Sequence, residues 1–160
     1  MRIVGYVREA SDPEEGPTAF AQHEEIRRYA TRHGHALIAV CQDARTPGHP
    51  LGRTGYRSLL GVLATGEAEA VIVAALEALS GDMIVQEILL WDLRARGVSV
   101  LSASADDQAV LGAGPDPTRM LIRDVLSRVS EHAEELRRPV ASTPGDVVVH
   151  IDEARGANLA

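Results

Sequence analysis

The chain has 160 residues, enough for one domain that buries roughly two-thirds of its unfolded surface without disulfides or metals. Apolar residues make up 45% and aromatic ones only 3%, so the core must be aliphatic and stacking platforms for unpaired bases are scarce. The formal net charge of −7, with 23 acidic residues against 16 basic ones that are all Arg, leaves DNA binding weak for the domain alone.

Residues 2–7 read as a short buried strand, and the polar, Pro- and Gly-bearing stretch 8–17 as the loop behind it. Thr18 caps the next helix, whose apolar side runs through Phe20, Ile26, Tyr29 and Ala30 and which Gly34 stops. Residues 36–41 predict a second strand, and the loop Thr46-Pro47-Gly48-His49-Pro50 after it is closed to a helix. A short helix with Tyr56, Leu59, Leu60 and Leu63 leads to residues 68–75. This most uniformly apolar run is expected as a central strand of a parallel sheet.

Ser80-Gly81-Asp82 offers caps for a helix carrying Ile84, Ile88, Leu89, Trp91 and Leu93, and Gly97 ends it before a strand at 98–101. A Gly-rich loop over 109–114 then precedes Asp116 and Pro117, read as N-cap and first residue of a longer helix through Leu121, Val125, Val129, His132 and Leu136. The alternation predicts a three-layer α/β/α domain over 1–138, with a mostly parallel sheet of four to five strands and a long C-terminal helix. Ligand sites on such sheets lie at the strand carboxyl ends. The tail 139–160 holds one strand-like run, Val147-Val148-Val149-His150-Ile151, and no helix-turn-helix pattern.

Several function classes drop out. Cys41 is the single cysteine, and no run of about 18 uncharged apolar residues is present, so neither a disulfide framework nor a membrane helix is expected. Met1-Arg2 leads straight into Ile3-Val4 without the pattern of a signal peptide, which makes the cytoplasm the expected location. His33, His35, His49, His132 and His150, with Cys41, lack the spacing that gathers three or four metal ligands. Leu111-Gly112-Ala113-Gly114 lacks the Lys-Ser/Thr of a phosphate-binding loop. No cofactor is expected.

Four segments carry a more specific signal. Tyr6-Val7-Arg8-Glu9-Ala10-Ser11-Asp12, followed by Gln22, resembles the Tyr-Ala-Arg-Val-Ser-Thr-Asp pattern behind the first strand of the serine recombinases, the resolvase and invertase family. Asp43 followed by Gly52-Arg53-Thr54-Gly55-Tyr56 resembles that family's Asp and Arg-Pro-Gly before a short helix. The strand at Val71-Ile72-Val73 running into Leu76-Glu77-Ala78-Leu79-Ser80-Gly81-Asp82 is similar to its Leu-Asp-Arg-Leu-x-Arg-Asp. Pro117-Thr118-Arg119-Met120 opens the long helix like its Gly-Arg-Leu-Met, and Glu131-His132-Ala133-Glu134 stands near the helix end. The resemblance spans roughly residues 2 to 138 and implies the recombinase catalytic fold.

In that family a serine attacks a DNA phosphodiester and several arginines meet the charge of the transferring phosphoryl group. The resemblance puts the serine position on Ala10, two arginines on Ala78 and Gly81, and a third on Glu134. Loss of the nucleophile alone is worth on the order of a millionfold in rate. Each missing phosphate donor adds roughly 2.7 to 4 kcal/mol. Ser11 is one residue displaced, by roughly 3.3 Å along an extended chain, and turned to the other side. Arg8, Arg53 and Arg119 remain as matched positions, with Arg8 and Arg53 expected within reach of one anion site.

The leading expectation is therefore a catalytically degenerate recombinase-like domain that acts as a dimerising interaction or regulatory module. Its helix 117–138 would form a homodimer, alongside an unidentified protein partner. The competing expectations are an active recombinase using Ser11, and a small-anion or nucleotide-binding module at the strand ends.

Overall fold

The computed structural model describes residues 1–45, 49–112 and 116–138. The 46–48 part of the second loop, residues 113–114 of the Gly-rich stretch, and the tail with its strand-like run and His150 lie outside the described residues. Four strands, β1 (Arg2–Arg8), β2 (Ala36–Asp43), β3 (Ala70–Val73) and β4 (Ser99–Ser102), form a parallel sheet in the order β2-β1-β3-β4. β1 aligns Arg2 with Ala36 and Arg8 with Asp43, and the register slips once between Ile3 and Val4, skipping Ile38.

Five helices accompany the described strands: α1 (Ala19–His33), α2 (Thr54–Ala64), α3 (Met83–Ala95), the single turn α4 (Gln108–Leu111) and α5 (Pro117–Arg137). Side chains alternate across β1, so its two faces enter different cores. Ile3 and Val7 pack with Ile26 and Ala30 of α1. Val4 and Tyr6 join Tyr56 and Leu59 of α2 with Leu89, Leu90 and Leu93 of α3. β3 is buried at all four positions, as expected of a strand covered on both faces.

The caps lie where their chemistry requires. Thr18 Oγ1 accepts from the Ala21 amide, Asp82 Oδ1 from Val85, and Asp116 Oδ1 from Thr118 and Arg119. Gly34 and Gly97 hold positive φ of 66° and 76° behind α1 and α3.

Three expectations are corrected. Phe20 does not belong to the buried side of α1, being 75% exposed in its first turn. Ile84 and Ile88 face outward, because the buried side of α3 runs through Gln86, Leu89, Leu90 and Leu93. Residues 108–111 wind into α4 instead of opening a loop, with Val110 and Leu111 against the core. The α5 stripe is open to solvent: Leu121, Val125 and Val129 are 64%, 50% and 61% exposed, and α5 carries no buried residue.

Candidate functional site

The chain leaves β1 toward β2 on one side and returns through α2 to β3 on the other. The order β2-β1-β3-β4 therefore makes a switch point between the carboxyl ends of β1 and β3. Gln22 of α1, 3% exposed, secures the end of β1. Its Oε1 accepts from the Arg8 amide at 3.2 Å, and its Nε2 donates to the carbonyls of Arg8 at 2.7 Å and Pro17 at 2.9 Å.

With its backbone held, Arg8 reaches across to the 3-10 turn Leu76–Ala78. Nη2 donates to the Glu77 carbonyl at 2.7 Å and Nε to that of Ala78 at 3.1 Å. Arg53 Nη1 donates to the Leu79 carbonyl at 3.4 Å, and Gln86 Nε2 to that of Ser80 at 3.0 Å. Four successive carbonyls thus accept from side chains. Below them Asp107, buried, accepts the Leu76 amide at 2.9 Å together with the Ser102 hydroxyl. Burial, followed by the charge of Arg53, lowers the Arg8 pKa from its usual value.

Asp43 organises the neighbouring wall from 3% exposure. It accepts the Tyr6 hydroxyl at 2.8 Å and the amides of Gly55 and Tyr56 at 2.8 and 3.0 Å, anchoring the start of α2. Gly55 is required there, because a Cβ would stand 2.4 Å from the Gln42 carbonyl oxygen. Burial, then the hydrogen bond to Asp43, raise the Tyr6 pKa well above the ordinary phenol value, with Arg53 opposing.

Between the first loop and the 76–78 turn lies a hollow of about 170 Å³. Ala10 and Ala78 line it together, with Gly16, Ala74 and Ala75. Ser11 is exposed and is not part of that lining. The capping side chain of this loop is Asp12, whose Oδ1 accepts from the Glu14 amide at 3.0 Å. Glu9 is turned away to the start of α1, accepting from the Ala19 amide at 2.8 Å. Glu15 and Glu77 stand with Arg8 around the hollow. Gly81 is exposed, with open space where a side chain would begin.

Arg119 is elsewhere engaged. Its Nη1 meets Glu87 Oε1 at 2.7 Å and its Nη2 meets Gln86 Oε1 at 2.6 Å. Arg123 adds Nε to Glu87 Oε2 at 2.7 Å and Nη2 to the Val110 carbonyl at 2.7 Å. The structure therefore brings Arg8 and Arg53 to one turn and commits Arg119 to a buried carboxylate on α3. Glu134 is exposed near the end of α5. Glu87, Gln86, Arg123 and Asp107 were not singled out by motif. The legible sign was an apolar spacing at 89, 90 and 93 that extends back to 86.

His33 and His35 are not part of the hollow's lining: His33 stacks on Tyr29 at a ring separation of 4.0 Å, with His35 beside it. Among the described residues no three His, Cys, Asp or Glu side chains gather as metal ligands, and no helix is long and apolar enough to cross a membrane.

The chain matches the family model described as Resolvase, N terminal domain, over residues 3–140. Among solved structures it is similar to the N-terminal catalytic domain of TP901-1 integrase, with a TM-score of 0.61 and 19% identity. That match covers 86% of this chain and 100% of the other. A resolvase family site-specific recombinase from Streptococcus pneumoniae gives a TM-score of 0.57 at 20% identity over 85% of this chain and 89% of that one. The C-terminal catalytic domain of ISC1926 TnpA, an IS607-like serine recombinase, gives 0.55 at 20% identity over 85% and 86%. No curated protein matches the sequence.

Proposed function

The chain belongs to the resolvase family through its N-terminal domain, and on that footing we propose that it is a catalytically silent member, retained as a dimerising interaction or regulatory module. The observation that carries this reading is the pair Ala10 and Ala78, which line one hollow at the switch point. These are the positions where the resemblance expects the nucleophile and one of its arginines. A methyl group cannot attack phosphorus, and an alanine supplies no donor for the charge that develops there.

The surrounding charge supports the same reading. The four described strands are parallel, so the loops after them meet at one edge. Those loops carry Asp12, Glu14, Glu15, Glu77, Asp82 and Asp106 against Arg8, Arg45 and Arg53. A phosphodiester approaching this edge would meet like charge instead of the basic field that DNA-binding surfaces use. Arg8 and Arg53, the proposed anion ligands, already donate to the carbonyls of 77–79, which weakens the small-anion reading.

The dimerising role rests on α5. At about 3.6 residues per turn, Leu121, Val125 and Val129 share a face turned away from Arg119 and Arg123, which bind α3. An exposed apolar stripe on a helix anchored along its opposite side fits a self-complementary contact between two copies. A recombinase working through Ser11 is the competing reading, and its exposed position outside the hollow counts against it. Incubation with supercoiled DNA under a denaturing quench, with search for a covalent protein–DNA product, tests the proposal.

A further inference from the structure

Resting on the reading of a silent site, we propose that the hollow takes a basic side chain, arginine or lysine, presented by a partner protein. The shape of the hollow comes first. At about 170 Å³ it is far larger than one water needs, and Ala10, Gly16, Ala74, Ala75 and Ala78 give it an apolar lining of small groups. Such a lining suits the methylene stem of a long basic side chain, which packs on apolar surface while its head seeks polar company.

Charge selects the head group. Glu15 and Glu77 both line the hollow, and neither carboxylate makes a hydrogen bond or ion pair among the described residues. The cation of its lining, Arg8, is held by two backbone carbonyls, which fixes it against its wall, and neighbouring Arg53 donates to the Leu79 carbonyl. Two uncommitted carboxylates against one fixed guanidinium leave a net negative rim, and Asp12 and Glu14 in the same loop extend it. An incoming guanidinium or ammonium group gains charge-assisted hydrogen bonds there, whereas a phosphoryl group meets repulsion. The residue replacements that remove phosphate chemistry thus leave both the room and the charge for a cation.

The experiment follows the amide resonances of Ala10, Gly16, Ala75 and Ala78 in the full chain while an oligoarginine peptide, an oligoglutamate peptide or inorganic phosphate is added. Saturable shifts at these amides with oligoarginine alone are expected. The double variant Glu15→Gln/Glu77→Gln should weaken binding by about tenfold or more. Ala78→Leu, or Ala10→Leu should the first fail to fold, should fill the hollow and abolish the response at unchanged charge. Oligoarginine shifts that spread over the acidic surface and survive these variants, no response, or occupation by phosphate would each overturn the inference. The DNA-adduct assay reports separately on the silent-site reading, so the two failures are distinguishable.

Discussion

Arg123 grips the buried carboxylate of Glu87 side-on, Nε to Oε2 at 2.7 Å and Nη2 to Oε1 at 3.2 Å. Arg119 completes the joint, which ties α5, a helix with no buried residue, to α3. Burial alone would raise the Glu87 pKa, but hydrogen bonds from Arg123 and Arg119, with their charges, outweigh it and hold the group below the ordinary 4.5. Breaking such a pair by removing one partner costs roughly 3–5 kcal/mol. Glu87→Ala should fall toward the lower end, since both arginines keep some solvent contact. A depressed carboxylate stabilises the fold above its unfolded pKa, so wild type should lose this contribution as pH falls below about 4.5. Denaturant titration across pH 3 to 7 checks it: the Glu87→Ala deficit should shrink toward the acid end.

At the opposite end of the scale, Tyr6 and Tyr56 are both buried and both favour the neutral phenol. Burial, then the charge of Asp92, push Tyr56 up to about 12, and Tyr6 lies higher still for the reasons given above. A raised pKa contributes fully below the ordinary value of 10 and is lost as pH rises through the folded value. Stability should therefore decline above about pH 10. Tyr6→Phe should flatten that decline while costing about 1–3 kcal/mol at neutral pH, because Asp43 loses a buried donor.

Two glycines of α2 should respond in opposite directions. Gly55→Ala drives a Cβ into the Gln42 carbonyl and the Asp43 carboxyl carbon, 2.4 and 2.8 Å away, and should destabilise by about 1–3 kcal/mol or more. Gly61 meets nothing within 4 Å, and Gly61→Ala should stabilise by up to about 1 kcal/mol. Thermal unfolding of both variants separates close packing from helix propensity.

The α5 stripe predicts an oligomeric state. Val125→Glu and Val129→Glu should shift the particle from dimer to monomer in light scattering, with the unfolding midpoint of the monomer unchanged because both side chains are at least half exposed. A wild-type monomer at micromolar concentration would count directly against the dimer.

Local signals carried well into the structure. Thr18 and Gly34 bracket α1, Asp116 and Pro117 open α5, and the uniform run expected at 68–75 contains the buried strand Ala70–Val73. Single-helix periodicity failed where tertiary partners decide the face. Ile84 and Ile88 looked like core, yet α3 turns Gln86 and Glu87 inward because arginines from α5 and the Ser80 carbonyl satisfy them there. Nothing local to residues 86–87 announces the two arginines, which lie more than 30 positions along the chain. The site divides the same way. Motif resemblance alone marks Ala10 as the position expected of the nucleophile. Its meeting with Ala78 needed the strand order, and the engagement of Arg8 by the 77–78 carbonyls needed coordinates.

Restoring one group should not restore chemistry. Ala10→Ser places a hydroxyl in the hollow, but Ala78, Gly81 and Glu134 still leave the transferring phosphoryl group without the arginines expected there, at roughly 2.7 to 4 kcal/mol for each missing donor. The variant should form no covalent DNA product above the wild-type background in a gel after denaturing quench.

The most direct test of the silent-site account is the same quench applied to the wild-type chain and to Ser11→Ala on supercoiled DNA. The account predicts no covalent protein–DNA species and no strand breakage from either. A covalent product formed by wild type and lost in Ser11→Ala would contradict it and make Ser11 a working nucleophile.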